Sequence, residues 1–270
     1  MKILPDSELA PVGAVAFEEE ADLERRFGAL RRLYGEAGYA RVRALRVAVV
    51  GIGGVGSWAA EALARSGIAE LTLIDLDQVA ESNINRQVQA LGATIGQAKV
   101  DALAARIADI HPGCVVHKVE EFVDETNWPA LLPGAVDAVI DACDQVRAKA
   151  ALAAWALREG RLLVSVGAAG GKRRPHDVRV EDLAQTTHDP LLASLRQRLR
   201  KFHGAARSGP IGVACVFSRE AVQPAIGVCE ADSSLNCHGY GSSVSVTATF
   251  GMVAASLALE SAANDKASQP

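Results

Sequence analysis

The chain has 270 residues, 49% of them apolar, and a formal net charge of −4. That is enough apolar side chain to bury a sizeable core, which excludes global disorder, and the near-neutral charge means any nucleic-acid contact has to be a local patch. Five cysteines (Cys114, Cys143, Cys215, Cys229 and Cys237) form an odd set without tight spacing, so free thiols in a reducing, cytoplasmic compartment are expected and a disulfide framework is not.

Residues 1–21 read as irregular and flexible, without the basic start and apolar core of a signal peptide. Residues 22–44 have an arginine-rich helical pattern interrupted by Gly28, Gly35 and Gly38. Strands and helices then alternate: strand 46–50, helix 55–65, strand 71–75, helix 97–110, strands 115–119 and 136–141, helix 148–158 and strand 162–166. In helix 97–110, Val100, Leu103, Ala104, Ile107 and Ile110 share one stripe, as in a helix packed on a sheet. This alternation predicts an α/β, Rossmann-like, doubly wound and mainly parallel sheet, which binds ligands at the carboxyl ends of its strands. Asp75, Asp77, Asp141 and Asp144 fall at those ends.

After Gly167 the alternation breaks. GAAGGKRRP reads as a basic loop and DVRVEDL as a short strand. PLLASLRQRLRKF (190–202) reads as a helix with Leu192, Leu195, Leu199 and Phe202 inward and its basic residues mostly outward. Residues 244–259 are apolar and uncharged, yet short of the ~20 residues a bilayer needs. They read as a buried helix, and no stable membrane insertion is expected. One domain over 22–260 follows: an N-terminal helical segment, a core at about 46–166 and a C-terminal α+β extension at about 167–260 facing the substrate. Residues 261–270 are expected to be flexible.

The chemistry starts at GIGGVGSWAAEALARSG. Gly51, Gly53, Gly54 and Gly56 lie between a strand and a helix, where glycines let the backbone approach phosphate oxygens and the helix offers free N–H groups. The motif fits the pyrophosphate of a nicotinamide cofactor or the triphosphate of ATP. Asp75, about 20 residues on, suits ribose hydroxyls in either case. SNINRQ places Arg86 at the same mouth, with Asn83 and Asn85 as further donors, and Lys99 opens the next helix there. Two cations suit a triphosphate losing pyrophosphate better than a diphosphate cofactor. In VIDACDQ, Asp141 or Asp144 could hold Mg²⁺, with a helix N-cap as the alternative role for Asp144.

RFGALRRLYG, GIGGVGSWAAEALARSGI, LIDLDQVAESNINRQ, GQAKVDALAARI and DACDQ together resemble the ubiquitin-activating-enzyme-like adenylyltransferases of the molybdopterin- and thiamine-synthesis type, in order across residues 26–166. The resemblance implies ATP and Mg²⁺, leaves room for a monovalent cation, and implies adenylation of a carboxylate. Asp75 would bind ribose with Asp77 beside it, Asn83 and Arg86 the phosphates, Lys99 the phosphates and leaving group, and Asp144 the metal. Arg26 would reach the partner's ATP across a homodimer.

Sulfur-carrier activators of that family carry two C-x-x-C pairs for structural zinc; this chain has none, so no structural zinc is expected. The likeness is closer to one branch, the tRNA threonylcarbamoyladenosine dehydratases, in RFGALRRLYG, GAAGGKRRP, THDPLLASLRQRLRK, VACVFSRE and GYGSSVSVTATFG. That branch implies ATP-dependent cyclisation of threonylcarbamoyladenosine at tRNA position 37. Lys172, Arg173, Arg174, Arg196, Arg198, Arg200, Lys201 and Arg207 would then meet tRNA phosphates. Cys215, Cys229 and Cys237 read as structural thiols, with sulfur transfer from a cysteine desulfurase partner as the other role. The remaining alternatives are an adenylyltransferase for a ubiquitin-like carrier, a nicotinamide-dependent oxidoreductase, and a non-enzymatic nucleotide sensor.

Overall fold

In the computed structural model, which describes residues 21–223 and 240–264, seven strands form one sheet between two layers of helices. The strands are β1 (Arg46–Val50), β2 (Glu70–Ile74), β3 (Val115–Val119), β4 (Ala138–Asp141), β5 (Leu162–Val166), β6 (Val178–Asp182) and β7 (Ala214–Ser218). Their order is β3-β2-β1-β4-β5-β7-β6. All pairs are parallel except β6 with β7. This is the expected α/β, Rossmann-like sheet, with its antiparallel strand confined to one edge.

The central strands are apolar throughout because both faces are covered. In β1, Val47 and Val49 point into one core with α2 (Ala29–Ala44), α3 (Gly56–Arg65), α4 (Lys99–Ile110) and α7 (Val244–Asn264). Ala48 and Val50 point into a second core with α5 (Val146–Glu159) and α6 (Pro190–Phe202). Fully buried side chains such as Leu63, Leu71, Leu103, Phe217 and Phe250 each contribute about 1.5–3 kcal/mol.

The N-terminal segment is two helices. Asp22 caps α1 (Leu23–Phe27), Gly28 separates it from α2, and Gly35 (φ 70°) kinks α2. Strand β7 has no counterpart in the sequence reading: VACVF is a short apolar run buried on both faces, which periodicity does not separate from a loop or helix. Helix α7 is a core helix packed on α3 and α2, with Gly251 seated against Val55 and Ala59. It extends through 261–264, which were expected to be flexible; 1–20 and 265–270 lie outside the described residues.

Candidate nucleotide site and basic face

The strand order reverses between β1 and β4, and the crevice at such a switch point is where doubly wound sheets take ligands. The turns leaving the two strands touch there. Gly51 has φ 86°, and a Cβ on it would lie 2.9 Å from Ala142 C and Cys143 N. Only glycine combines that left-handed backbone with so close an approach. The turn leads into α3, which has no side-chain N-cap, so its first N–H groups and the positive end of its dipole face the crevice. Gly54 lies beneath Arg86, whose Cγ is 3.2 Å from where a Cβ would sit.

Asp75 follows β2 and ties the glycine turn to the second strand. Its Oδ2 accepts from Ile52 N at 2.6 Å and its Oδ1 from Asp77 N at 2.9 Å. Lys99, buried in the first turn of α4, has its Nζ 3.7 Å from Asp75 Oδ1 and 2.7 Å from Asp77 Oδ2. Burial pushes the Asp75 carboxyl above its ordinary value, and the Lys99 charge pulls it back. Arg86 Nη1 donates to Ser82 O and Asn85 Oδ1, and its carbonyl accepts from Trp58 Nε1. The structure therefore brings Gly51, Gly53, Gly54, Gly56, Asp75, Asp77, Arg86 and Lys99 to one crevice.

Other candidates sit differently. Asn83 is buried, and its Oδ1 accepts from Ala80 N, locking its own turn. Asp144 is exposed on the turn after β4 and is not a cap, because Gln145 occupies the N-cap position of α5. Its carboxylate makes no hydrogen bond or ion pair among the described residues. Asp141 is no metal candidate: it is wholly buried and paired with Lys149, a residue the sequence reading missed. Burial works against the Lys149 charge and the Asp141 carboxylate beside it works for it, and the amine is held above its ordinary pKa. Arg26 donates to Asp109 O and Ile110 O at the far end of α4, away from the crevice of its own chain.

The basic residues divide into two groups. Lys172 is buried and donates to Ser218 O and Glu220 O, so it cannot meet tRNA phosphates; burial lowers its pKa. Arg196 is turned onto the carbonyls of Leu183 and Thr186 and is also a structural residue. Arg174 pairs with Asp177 and Arg198 with Glu125, while Arg200 donates to Ala206 O. Arg173, Lys201 and Arg207 are exposed. Phe202, expected inward, is 58% exposed at the last turn of α6, where the helix has run past the core. The Arg198 guanidinium lies 5.2 Å and the Lys201 amine 4.9 Å from the centre of its ring. Cys215 is buried, which raises its thiol pKa and makes it a structural thiol; Cys229 and Cys237 lie outside the described residues.

Sheet order, switch-point crevice and glycine turn define a Rossmann-like α/β protein with a site built for phosphates. The chain belongs to the ThiF family, whose model matches residues 27–267. The tRNA threonylcarbamoyladenosine dehydratase of Escherichia coli (strain K12) is 46% identical over 248 residues, 87% of this chain and 92% of that protein. The crystal structure of E. coli tRNA N6-threonylcarbamoyladenosine dehydratase, TcdA, in complex with ATP superposes with a TM-score of 0.81 at 45% identity, covering 88% of this chain and 94% of that one. Its complex with AMP gives a TM-score of 0.80 with the same identity and coverage.

Proposed function

We propose that this protein is a cytoplasmic tRNA threonylcarbamoyladenosine dehydratase, which uses ATP to cyclise the modified adenosine at position 37 of tRNA. The observation that carries the assignment is the joining of Lys99 and Asp75 to the glycine turn in one crevice, in a chain 46% identical to an enzyme of that name along most of its length. The ATP- and AMP-bound structures of the E. coli enzyme support the nucleotide.

The residues divide the work by position. Gly51, Gly53, Gly54 and Gly56 let main-chain N–H groups approach the phosphates, and Asp75 takes the ribose hydroxyls. Arg86 and Lys99 neutralise charge that builds on the phosphates as pyrophosphate leaves. The substrate carboxylate attacks the α-phosphorus, breaking the α–β phosphoanhydride and releasing pyrophosphate. The neighbouring ureido nitrogen then attacks the acyl carbon, loses its proton to solvent, and expels AMP with one carboxylate oxygen. The substrate loses the elements of one water. The nucleophile belongs to the substrate, so no enzyme thioester is needed.

A lone exposed carboxylate such as Asp144 fits Mg²⁺, which keeps several waters and is held by one or two carboxylates with substrate phosphates; bound there it would neutralise phosphate charge. In a homodimer, Arg26, exposed at the far end of α4 where it donates to Asp109 O and Ile110 O, would turn to the partner's site. For tRNA, the exposed cations Arg173, Lys201 and Arg207 are available to phosphates, and the cation-flanked Phe202 at the end of α6 offers an aromatic ring to an unpaired base. A sulfur relay with a desulfurase would fall to Cys229 or Cys237, because Cys215 is buried.

The test is mass spectrometry of nucleosides from threonylcarbamoylated tRNA incubated with the protein, ATP and Mg²⁺. Loss of one water mass from the modified adenosine, with AMP and pyrophosphate formed in step, is the expected result. Unchanged nucleoside with the protein folded and ATP bound refutes the assignment.

A further inference from the structure

Lys149 is fully buried in the first turn of α5, beneath the turn that leaves β4. Its Nζ donates to the carbonyl of Val166, the last residue of β5, at 2.8 Å and to that of Asp141, the last residue of β4, at 3.3 Å. The same nitrogen is 3.0 Å from Asp141 Oδ2, which also accepts from the Ser165 hydroxyl at 2.7 Å. The other oxygen of that carboxylate faces Cys143: Sγ donates to Oδ1 at 3.0 Å and the main-chain N–H at 3.4 Å. On its far side the same turn meets Gly51. Cys143 is thus clamped between the Lys149–Asp141 pair and the glycine turn, one residue before Asp144.

An ion pair so deep is a costly way to hold two strands together. Apolar residues of similar volume are often neutral or more stabilising, because desolvating two charges offsets their attraction. What the pair provides that a leucine cannot is direction: hydrogen bonds and contacts that fix two strand ends and one turn relative to each other.

We propose that Lys149 is a positioning residue for the nucleotide site. Through Asp141 it sets the turn at 142–145 that forms one wall of the crevice and carries Asp144; the functional part of this inference rests on the ATP-site reading. Lys149→Met removes the charge at similar length, and Ser165→Ala removes a single hydrogen bond from the same carboxylate.

Two measurements on the full chain test it: hydrogen–deuterium exchange at residues 142–145, mapped by peptide mass spectrometry with the turn at residues 111–114 as internal reference, and ATP affinity by calorimetry. In Lys149→Met, exchange at 142–145 should speed up about tenfold with the reference turn unchanged, and ATP affinity should fall about tenfold, the scale of one lost charge-assisted hydrogen bond. Ser165→Ala should move both in the same direction by less, and it decides the matter if Lys149→Met does not fold. Parallel rises in the two turns would mean general loosening and overturn the proposal. So would unchanged exchange at 142–145, or faster exchange with wild-type ATP affinity. Failure of the wild-type protein to bind ATP would sink the ATP-site reading instead, and the contrast between the two turns would still decide whether Lys149 sets the turn at 142–145.

Discussion

Replacing Lys99 by Met keeps most of the side chain's length and removes its charge. The two carboxylates it serves do not respond equally. Asp77 is 46% exposed, so water replaces the lysine and that pair is worth about 0–1 kcal/mol. Asp75 is only 9% exposed. At 3.7 Å and an effective dielectric constant of about 20, its attraction to Lys99 is about 4–5 kcal/mol. Removing one member of a buried pair costs about 3–5 kcal/mol. Main-chain donors at Ile52 and Asp77 still solvate the stranded carboxylate, which places the loss near the lower end, about 3 kcal/mol. For a folded unit of this size, Tm then falls by about 6–12 °C.

The pH dependence has a definite sign. Burial raises the folded-state pKa of Asp75, and loss of Lys99 raises it further. A group with a raised pKa contributes stability below its unfolded pKa and loses it as pH rises through the folded value. The deficit of the variant against wild type is therefore full at about pH 8 and shrinks in acid, as pH falls toward the ordinary carboxylate range and Asp75 becomes neutral in both proteins. Thermal unfolding followed by circular dichroism across that range measures it. A deficit independent of pH, or larger in acid, refutes the view that Asp75 is the partner that matters. In the same variant, pyrophosphate release on modified tRNA should fall about 100-fold or more, the scale of one lost electrostatic donor.

Asp144→Ala should behave oppositely: Tm within about 1 °C of wild type, because the exposed carboxylate has no partner among the described residues, with ATP cleavage lost across Mg²⁺ titration. Gly51→Ala should cost about 1–2 kcal/mol from its left-handed backbone alone, and more from the clash with Ala142 and Cys143; calorimetry should show weakened ATP binding even where the protein stays folded. Lys201→Gln should weaken tRNA binding and flatten the slope of log affinity against log salt by roughly 0.7–0.9. Lys172→Met should lower stability and leave that slope unchanged, because Lys172 faces main-chain carbonyls instead of solvent. Filter binding at several salt concentrations separates the two lysines.

The parallel core was legible because each of its parts has a local cause. Strand ends at Val50 and Val166 coincide with changes from apolar runs to glycine, and Gly35, at φ 70°, interrupts the N-terminal helix where its backbone requires glycine. The candidate site was legible where residue type alone implies a role, as with Gly51, Asp75, Arg86 and Lys99. It was not legible where the role depends on burial. Nothing in the sequence separates Lys149 and Lys172, which are buried, from Lys201, which is exposed. The stripe at Leu192, Leu195 and Leu199 extends arithmetically to Phe202, but a helix can outrun the surface it packs on, and this one does.

Helix α7 has a consequence for how the protein comes into being. Its Thr247 methyl packs on the glycine turn at Gly54, and its last carbonyls take the Arg41 guanidinium, 221 residues earlier in the chain for Ala262. A nascent chain grows from its N-terminus at about 5–20 residues per second. The turn at 51–56 therefore waits more than ten seconds or so at typical rates for the helix that seats it. A ribosome-bound intermediate has the glycine motif but not its scaffold, so nucleotide binding should appear late in synthesis. Binding by a ribosome-bound chain would then report that α7 has docked on the glycine turn.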